Sequence, residues 1–248
     1  MGNNKNIFIT STGTNIGKTY CTVEILKEML HRKVLFNAYK PILSGFDIYN
    51  IKDSDSYKIL KTNNKEPEIE DIKEISPWLF EKPIAPSIAA KKENKSLKYN
   101  DVLEWCLKKS DNNIINIFEG AGGLLVPIEK IKTLLDLMKD LNSKVVLVVG
   151  NYLGSVSHTL SAIQNLQHAN LQIIKFTIPS KFYEKGNVTW DGVTKTTSWL
   201  GSDVFKASAR RSICDRCGTC HDRYAGLPIP MVVEKYTHRK GVGRAPPS

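Results

Sequence analysis

The residues whose spacing carries most chemistry lie between Thr10 and Thr19, in the stretch Thr10-Ser11-Thr12-Gly13-Thr14-Asn15-Ile16-Gly17-Lys18-Thr19. A Gly-Lys-Thr triplet closing a loop of small residues suits a polyphosphate. Loop amides point at the anion, the lysine neutralises β- and γ-phosphate oxygens, and the threonine hydroxyl reaches Mg²⁺. The strict pattern places a first glycine four residues before the Gly-Lys pair. That position is Thr12, and Gly13 follows it, so the loop is a variant.

Three other groups could complete such a site. Lys40-Pro41, followed by Ser44-Gly45, offers a cation and a hydroxyl; in isolation Lys40 would be an ordinary surface lysine. Asp53-Ser54-Asp55 offers carboxylates that either reach a metal held by Thr19 or simply cap the short helical run after them. Glu119-Gly120-Ala121-Gly122-Gly123 is an acid followed by glycines that let backbone approach a ligand; otherwise it is a glycine-rich turn with a solvent-facing Glu. Farther on, Gly154-Ser155-Val156-Ser157 opens a helical stretch. Ser155 and Ser157 are taken as caps of a helix N-terminus able to hold a carboxylate.

The elements needed to position these groups follow from the hydrophobic pattern. Ile7-Phe8-Ile9 is a buried strand, and Val23, Leu26, Met29 and Leu30 recur at helical spacing behind the loop. Val34-Leu35-Phe36 and Ile114 to Phe118 read as strands, as does Lys144 to Val149, which is apolar on both faces as a helix-covered parallel sheet requires. Helices are expected over Tyr57 to Leu60, Tyr99 to Lys109, Thr133 to Leu141 and His158 to Gln167. Trp78 to Ala89, broken by Pro83 and Pro86, is an ordered loop leading into a further helix. Strand–helix alternation predicts a doubly wound, mostly parallel α/β sheet with helices on both faces, like that of P-loop NTPases. Lysine and serine at the carboxyl ends of such strands stand where open sheets bind ligands.

Composition narrows the class. The chain has 248 residues and 41% hydrophobic content, enough for one large globular domain. Its longest aliphatic run, Val145 to Val149, is far short of the ~20 residues that span a bilayer, so no membrane partner is expected. No secretory leader pattern opens the chain, and a reducing cytoplasm is the expected setting for the five cysteines. The formal charge of +10 is unevenly spread. The first 175 residues carry 22 Lys, one Arg and 19 acids; the remaining 73 carry six Lys, six Arg and six acids. The first part is thus an ordinary solvated surface and not a specific nucleic-acid footprint.

Taken in order, the Thr10 to Thr19 loop, Tyr39-Lys40-Pro41 with Ser44-Gly45, Ser54-Asp55, Pro83 to Ala89, Glu119 to Gly123, and Val148-Val149-Gly150 to His158 resemble the dethiobiotin synthetases, over roughly residues 5 to 174. The resemblance implies an ATP- and Mg²⁺-dependent ligase of biotin synthesis acting on 7,8-diaminononanoate and CO₂. One amine becomes a carbamate whose oxygen attacks the γ-phosphorus; the second amine then closes the ureido ring and phosphate leaves. It implies catalytic roles for Lys18, Lys40 and Thr14, and Mg²⁺ contacts from Thr19, Asp55 and Glu119. Nucleotide contacts are implied for Asn15, Ile16, Gly17, Lys18, Thr19, Tyr20, Asp55, Glu119, Gly120, Ala121 and Gly122. Ser44, together with Thr14, would touch the diamine or its carbamate. Gly154, Ser155, Val156 and Ser157 would receive the substrate carboxylate across the interface of a homodimer. Lys40→Ala is expected to abolish diamine-dependent turnover and to spare the fold. Ser11, Asn15 and Ser87 stand where many relatives carry Gly, an acid and His. The alternative is a P-loop switch of the partitioning-ATPase kind; such proteins carry an extra lysine early in the loop, and positions 11 to 15 hold none.

The pattern stops near Ile174. The family's strand ending in an adenine-reading Asn is replaced by Lys175-Phe176-Thr177-Ile178-Pro179-Ser180, and Gly226 to Pro230 only faintly echoes its late loop. The expected division is therefore a ligase domain over 1–175 and an atypical basic tail over 176–248, frameshifted, fused or disordered, which would impair activity or leave a non-functional ligase. Cys214, Cys217, Cys220 and His221, with His238, could ligate zinc, but structural zinc sites usually space two ligand pairs farther apart.

Overall fold

The computed structural model describes residues 5–63, 66–150, 152–177, 189–193 and 232–236. Its centre is a five-stranded, all-parallel sheet in the order β2-β5-β1-β8-β9, formed by β1 (Asn6–Ser11), β2 (Phe36–Tyr39), β5 (Ile115–Glu119), β8 (Lys144–Val148) and β9 (Ile173–Thr177). Two short strands, β3 (Ile42–Ser44) and β4 (Trp78–Phe80), pair in parallel outside it. Likewise β6 (Pro127–Glu129) and β7 (Lys132–Thr133) form a small antiparallel pair.

Helices cover both faces because the strands are apolar on both. On one face Ile7, Ile9, Ile117 and Val146 pack against Cys21, Leu26 and Met29 of α1 (Lys18–His31), Ile59 of α2 (Asp55–Leu60) and Ile75 of α3 (Ile69–Ile75). On the other, Phe8, Phe118, Val145 and Leu147 meet four helices: α4 (Pro86–Lys92), α5 (Tyr99–Lys109), α6 (Leu134–Asp140) and α7 (Ser155–His168). Cys106 lies in this core, and burial pushes its thiol well above the ordinary range. The doubly wound architecture expected from sequence is the one observed.

Register is set at the amino ends of three neighbouring strands by a ladder of amides. Asn6, Asn116 and Asn37 are aligned in the sheet. Asn37 Nδ2 donates to Asn116 Oδ1 at 3.1 Å, and Asn116 Nδ2 donates to Asn6 Oδ1 at 3.0 Å. A one-residue slip would break both bonds and turn each strand's apolar residues to the wrong face.

The structure shifts four local expectations. Trp78–Phe80, read as part of an ordered loop, is strand β4. The second strand runs Phe36–Tyr39, not Val34 to Phe36, and Leu35 is 75% exposed; pairing with β5 outweighs the aliphatic cue. Helix α7 begins at Ser155, with Gly154 at its N-cap at φ 95° and no side-chain cap, so neither Ser155 nor Ser157 caps it. At α2 the cap is Ser54, which accepts from Tyr57 N; neither Asp53 nor Asp55 performs that role. Two further strands, β10 (Thr189–Val193) and β11 (Val232–Tyr236), pair antiparallel within the segment read as a tail. The proposed zinc ligands Cys214, Cys217, Cys220, His221 and His238, and the Gly226 to Pro230 loop, lie outside the described residues.

Candidate active site

The phosphate-type loop joins β1 to α1. Asn15 at φ 58° and Gly17 at φ 96° turn the backbone into the first helical turn, and Thr12 N bonds Val148 O at 3.1 Å. Such left-handed positions turn successive N–H groups toward one concavity. Across the loop lies the turn after β5, where missing side chains allow backbone to approach. A Cβ on Gly122, which sits at φ 77°, would stand 2.9 Å from Val126 Cγ2 and 3.5 Å from Thr14 Oγ1. A Cβ on Gly120 would meet Phe8 Cε1 at 2.9 Å.

Ser11 ties the two loops together. Its hydroxyl lies within hydrogen-bonding distance of the carbonyls of Gly13 and Gly122, and it accepts from Lys18 Nζ at 3.2 Å. Lys18 is buried. Burial, then the nearby Lys40 charge, lowers its ammonium to about 8, with Glu119 and Asp55 acting in the opposite sense. A lysine held this way gains from any anion brought beside it.

The carboxyl ends of β2 and β5 bring Lys40 and Glu119 together. Lys40 Nζ lies 2.7 Å from Glu119 Oε1, 3.1 Å from Asp55 Oδ2 and 3.4 Å from Gly120 O. Thr19 Oγ1 donates to Glu119 Oε1 at 2.7 Å, and Thr22 Oγ1 donates to Glu119 Oε2 at 2.5 Å. Burial alone would lower the Lys40 ammonium, but the two carboxylates outweigh it and hold it above the ordinary lysine range. Burial would likewise raise Asp55; the Lys40 charge and the Thr19 hydroxyl reverse this and hold its carboxyl below the usual value.

The fold thus gathers Lys18, Thr19, Lys40, Asp55 and Glu119 from two strand ends and two helix starts. Two carboxylates and a hydroxyl form a hard oxygen set of the kind Mg²⁺ prefers, and the glycine-lined loop above them suits a polyphosphate. Ser44 Oγ and Thr12 Oγ1 are buried with no hydrogen-bond partner among the described residues, an unusual state for buried hydroxyls unless a ligand meets them. Thr14 and Asn15 are exposed on the loop, while Ile16, Tyr20 and Ala121 are half-buried around it. Gly154 to Ser157 follow β8 at the same edge of the sheet, beside a fully exposed Leu153.

Sequence reasoning missed Thr22 and treated Ser11 only as a departure from a family pattern. The available signal for Thr22 was its place three residues after Thr19, on the same face of α1.

A parallel sheet with a Gly-Lys-Thr loop at its first strand–helix junction and an acid at the adjacent strand end defines a P-loop nucleotide-binding protein. Residues 5–195 match the family model described as an AAA domain. Sequence relatives are more particular. The ATP-dependent dethiobiotin synthetase BioD of Caulobacter vibrioides is 33% identical over 178 residues, covering 70% of this chain and 79% of the relative. Those of Methylobacterium nodulans and Phenylobacterium zucineum are 34% and 35% identical, covering 65% and 67% of this chain and 75% and 72% of theirs. The chain belongs to the dethiobiotin synthetase family.

Proposed function

We propose that the chain catalyses ATP- and Mg²⁺-dependent carboxylation and ring closure of 7,8-diaminononanoate with CO₂, giving dethiobiotin. The observation that carries this reading is the Lys40–Glu119–Asp55–Thr19 cluster packed beside Lys18 at the phosphate loop. Nucleotide contacts are assigned to residues 15 to 20 and to Asp55, Glu119, Gly120, Ala121 and Gly122. Thr19, Asp55 and Glu119 would hold Mg²⁺, which supplies charge neutralisation for the phosphate oxygens. Lys18 and Lys40 stabilise the negative charge that shifts as the phosphoryl group passes to the carbamate oxygen. Lys40 can serve there because it is already buried and fully protonated. Thr14 and Ser44 bind the diamine or its carbamate, and the unpartnered Ser44 hydroxyl supports that role.

The start of α7, Gly154 to Ser157, would take the substrate carboxylate across a homodimer interface. Exposed Leu153 and Val156 beside it supply apolar surface for a second copy to cover. A cytoplasmic setting accords with the buried free thiol of Cys106. No helix among the described residues is long and apolar enough to cross a membrane. The basic segment read as a tail over 176–248 is proposed as frameshifted or fused beyond the family match, which extends to residue 195, and as lowering activity.

The test is ATP turnover with and without the diamine and bicarbonate. Phosphate release that requires both, with dethiobiotin formed in equal amount, is expected. Turnover indifferent to the diamine would sink the proposal.

A further inference from the structure

Thr22 is buried one turn into α1, beyond the loop's own Thr19. Its hydroxyl has one proton and two acceptors within reach, Glu119 Oε2 at 2.5 Å and the Lys18 carbonyl at 3.0 Å. The carboxylate is closer and charged, so it takes the proton; hydrogen bonds to ionised acceptors are shorter and roughly twice as strong as neutral ones. The opposite oxygen, Oε1, is the one that meets the Thr19 hydroxyl and the Lys40 ammonium. Glu119 is completely buried, so the orientation of its carboxylate is decided by these three donors alone among the described residues.

We propose that Thr22 is a positioning residue for divalent-cation binding: it grips Glu119 Oε2 from behind and thereby presents Oε1 to the metal side of the site. This rests on the reading of Thr19, Asp55 and Glu119 as metal-holding residues, and adds to it a residue that never touches the ion. Without the Thr22 hydroxyl, Oε2 is a buried acceptor that has lost its donor, and the carboxylate can turn either oxygen toward Lys40 and Thr19. A group that orients a ligating carboxylate typically carries a 10–100-fold effect on metal affinity.

The experiment uses the full chain with Thr22→Val, which keeps the shape and removes the hydroxyl, and Thr22→Ser, which keeps the hydroxyl. Mn²⁺ affinity is measured by titration in the presence of a non-hydrolysable ATP analogue. Affinity for the same analogue is measured separately with metal chelated, and melting temperature is recorded for each variant. Thr22→Val is expected to weaken Mn²⁺ binding about 10–100-fold while metal-free nucleotide affinity stays within about twofold, and Thr22→Ser to restore Mn²⁺ binding. Mn²⁺ affinity unchanged in Thr22→Val would overturn the inference and leave the metal-holding set intact. Equal losses in Thr22→Val and Thr22→Ser, or an equal loss of metal-free nucleotide binding, would show that Thr22 supports packing instead. Failure of the unsubstituted chain to bind Mn²⁺ with the analogue would remove the metal-holding set and the role of Thr22 together.

Discussion

Lys40 Nζ and Glu119 Oε1 lie 2.7 Å apart, with the lysine side chain 3% and the glutamate 0% exposed. The pairing follows from sheet register. Tyr39 is aligned with Phe118 on adjacent strands, so the next residue of β2 and the last of β5 leave the sheet side by side. Two charges meet where burying either alone would cost roughly several kcal/mol in lost hydration.

Breaking this pair costs stability as well as chemistry. Removing one partner of a buried ion pair typically costs about 3–5 kcal/mol. Lys40→Met is therefore expected to lose several kcal/mol in urea unfolding and all diamine-dependent turnover. Lys40→Met/Glu119→Gln should recover much of the stability and none of the turnover. This revises the expectation that Lys40→Ala spares the fold.

Ser44 separates the two effects. Its buried hydroxyl has no partner among the described residues, so Ser44→Ala removes an unsatisfied polar atom and should be neutral or slightly stabilising. If the hydroxyl meets the diamine, KM for the diamine should rise about tenfold, as expected for one hydrogen bond of roughly 1.4 kcal/mol. Steady-state kinetics and a melting curve on the same sample check both halves.

Asn116 is the centre of the amide ladder. Its side chain also accepts from Asp111 N at 3.1 Å and donates to Asp111 O at 2.8 Å. Asn116→Ala leaves the amides of Asn6 and Asn37 short of a partner, at about 1–3 kcal/mol for each buried group left unsatisfied. Chemical unfolding should show a loss of at least 2 kcal/mol on that scale. Asn37→Ala, at the ladder's end on the edge strand, should lose less.

Lys175 makes stability depend on alkaline pH. Burial pushes its ammonium down to about 8 in the folded chain, against 10.5 for an ordinary lysine. Between those values the unfolded chain binds more protons than the folded one, so stability rises with pH. Above about pH 10 the raised Tyr39 and Tyr99 hydroxyls act in the opposite sense, because the unfolded tyrosines ionise first. Lys18, lowered to about 8 in the same way, adds to the climb, and the raised Cys106 thiol opposes it from about pH 9, so unfolding free energy should climb from pH 8 and level off by about 10. Lys175→Met should be more stable at pH 7 and show a flatter climb. A Lys175→Met profile parallel to that of the unsubstituted chain would refute the assignment.

By itself the sequence determined the architecture and named the candidate site residues. Apolar runs such as Val145 to Val149 could only be strands buried on both faces. The Gly17-Lys18-Thr19 triplet at a strand–helix junction could be placed without coordinates because its meaning is local: one loop and one helix start supply every group. Lys40, Asp55 and Glu119 were legible as candidates, each with an ordinary alternative beside it.

Tertiary structure decided among those alternatives. Asp53 and Asp55 are the cap candidates in sequence; the path of α2 instead gives the cap to Ser54 and turns Asp55 toward Lys40. The second strand begins at Phe36 because pairing with β5, reinforced by Asn37 and Asn116, outweighs the apolar Val34 and Leu35. Thr22 carries only a weak mark in the sequence, its place three residues after Thr19 on one helix face. A mid-helix threonine becomes a handle on Glu119 only when the sheet brings a residue 97 positions away against it. Long-range contact of that kind is set by register and packing, which no local spacing records.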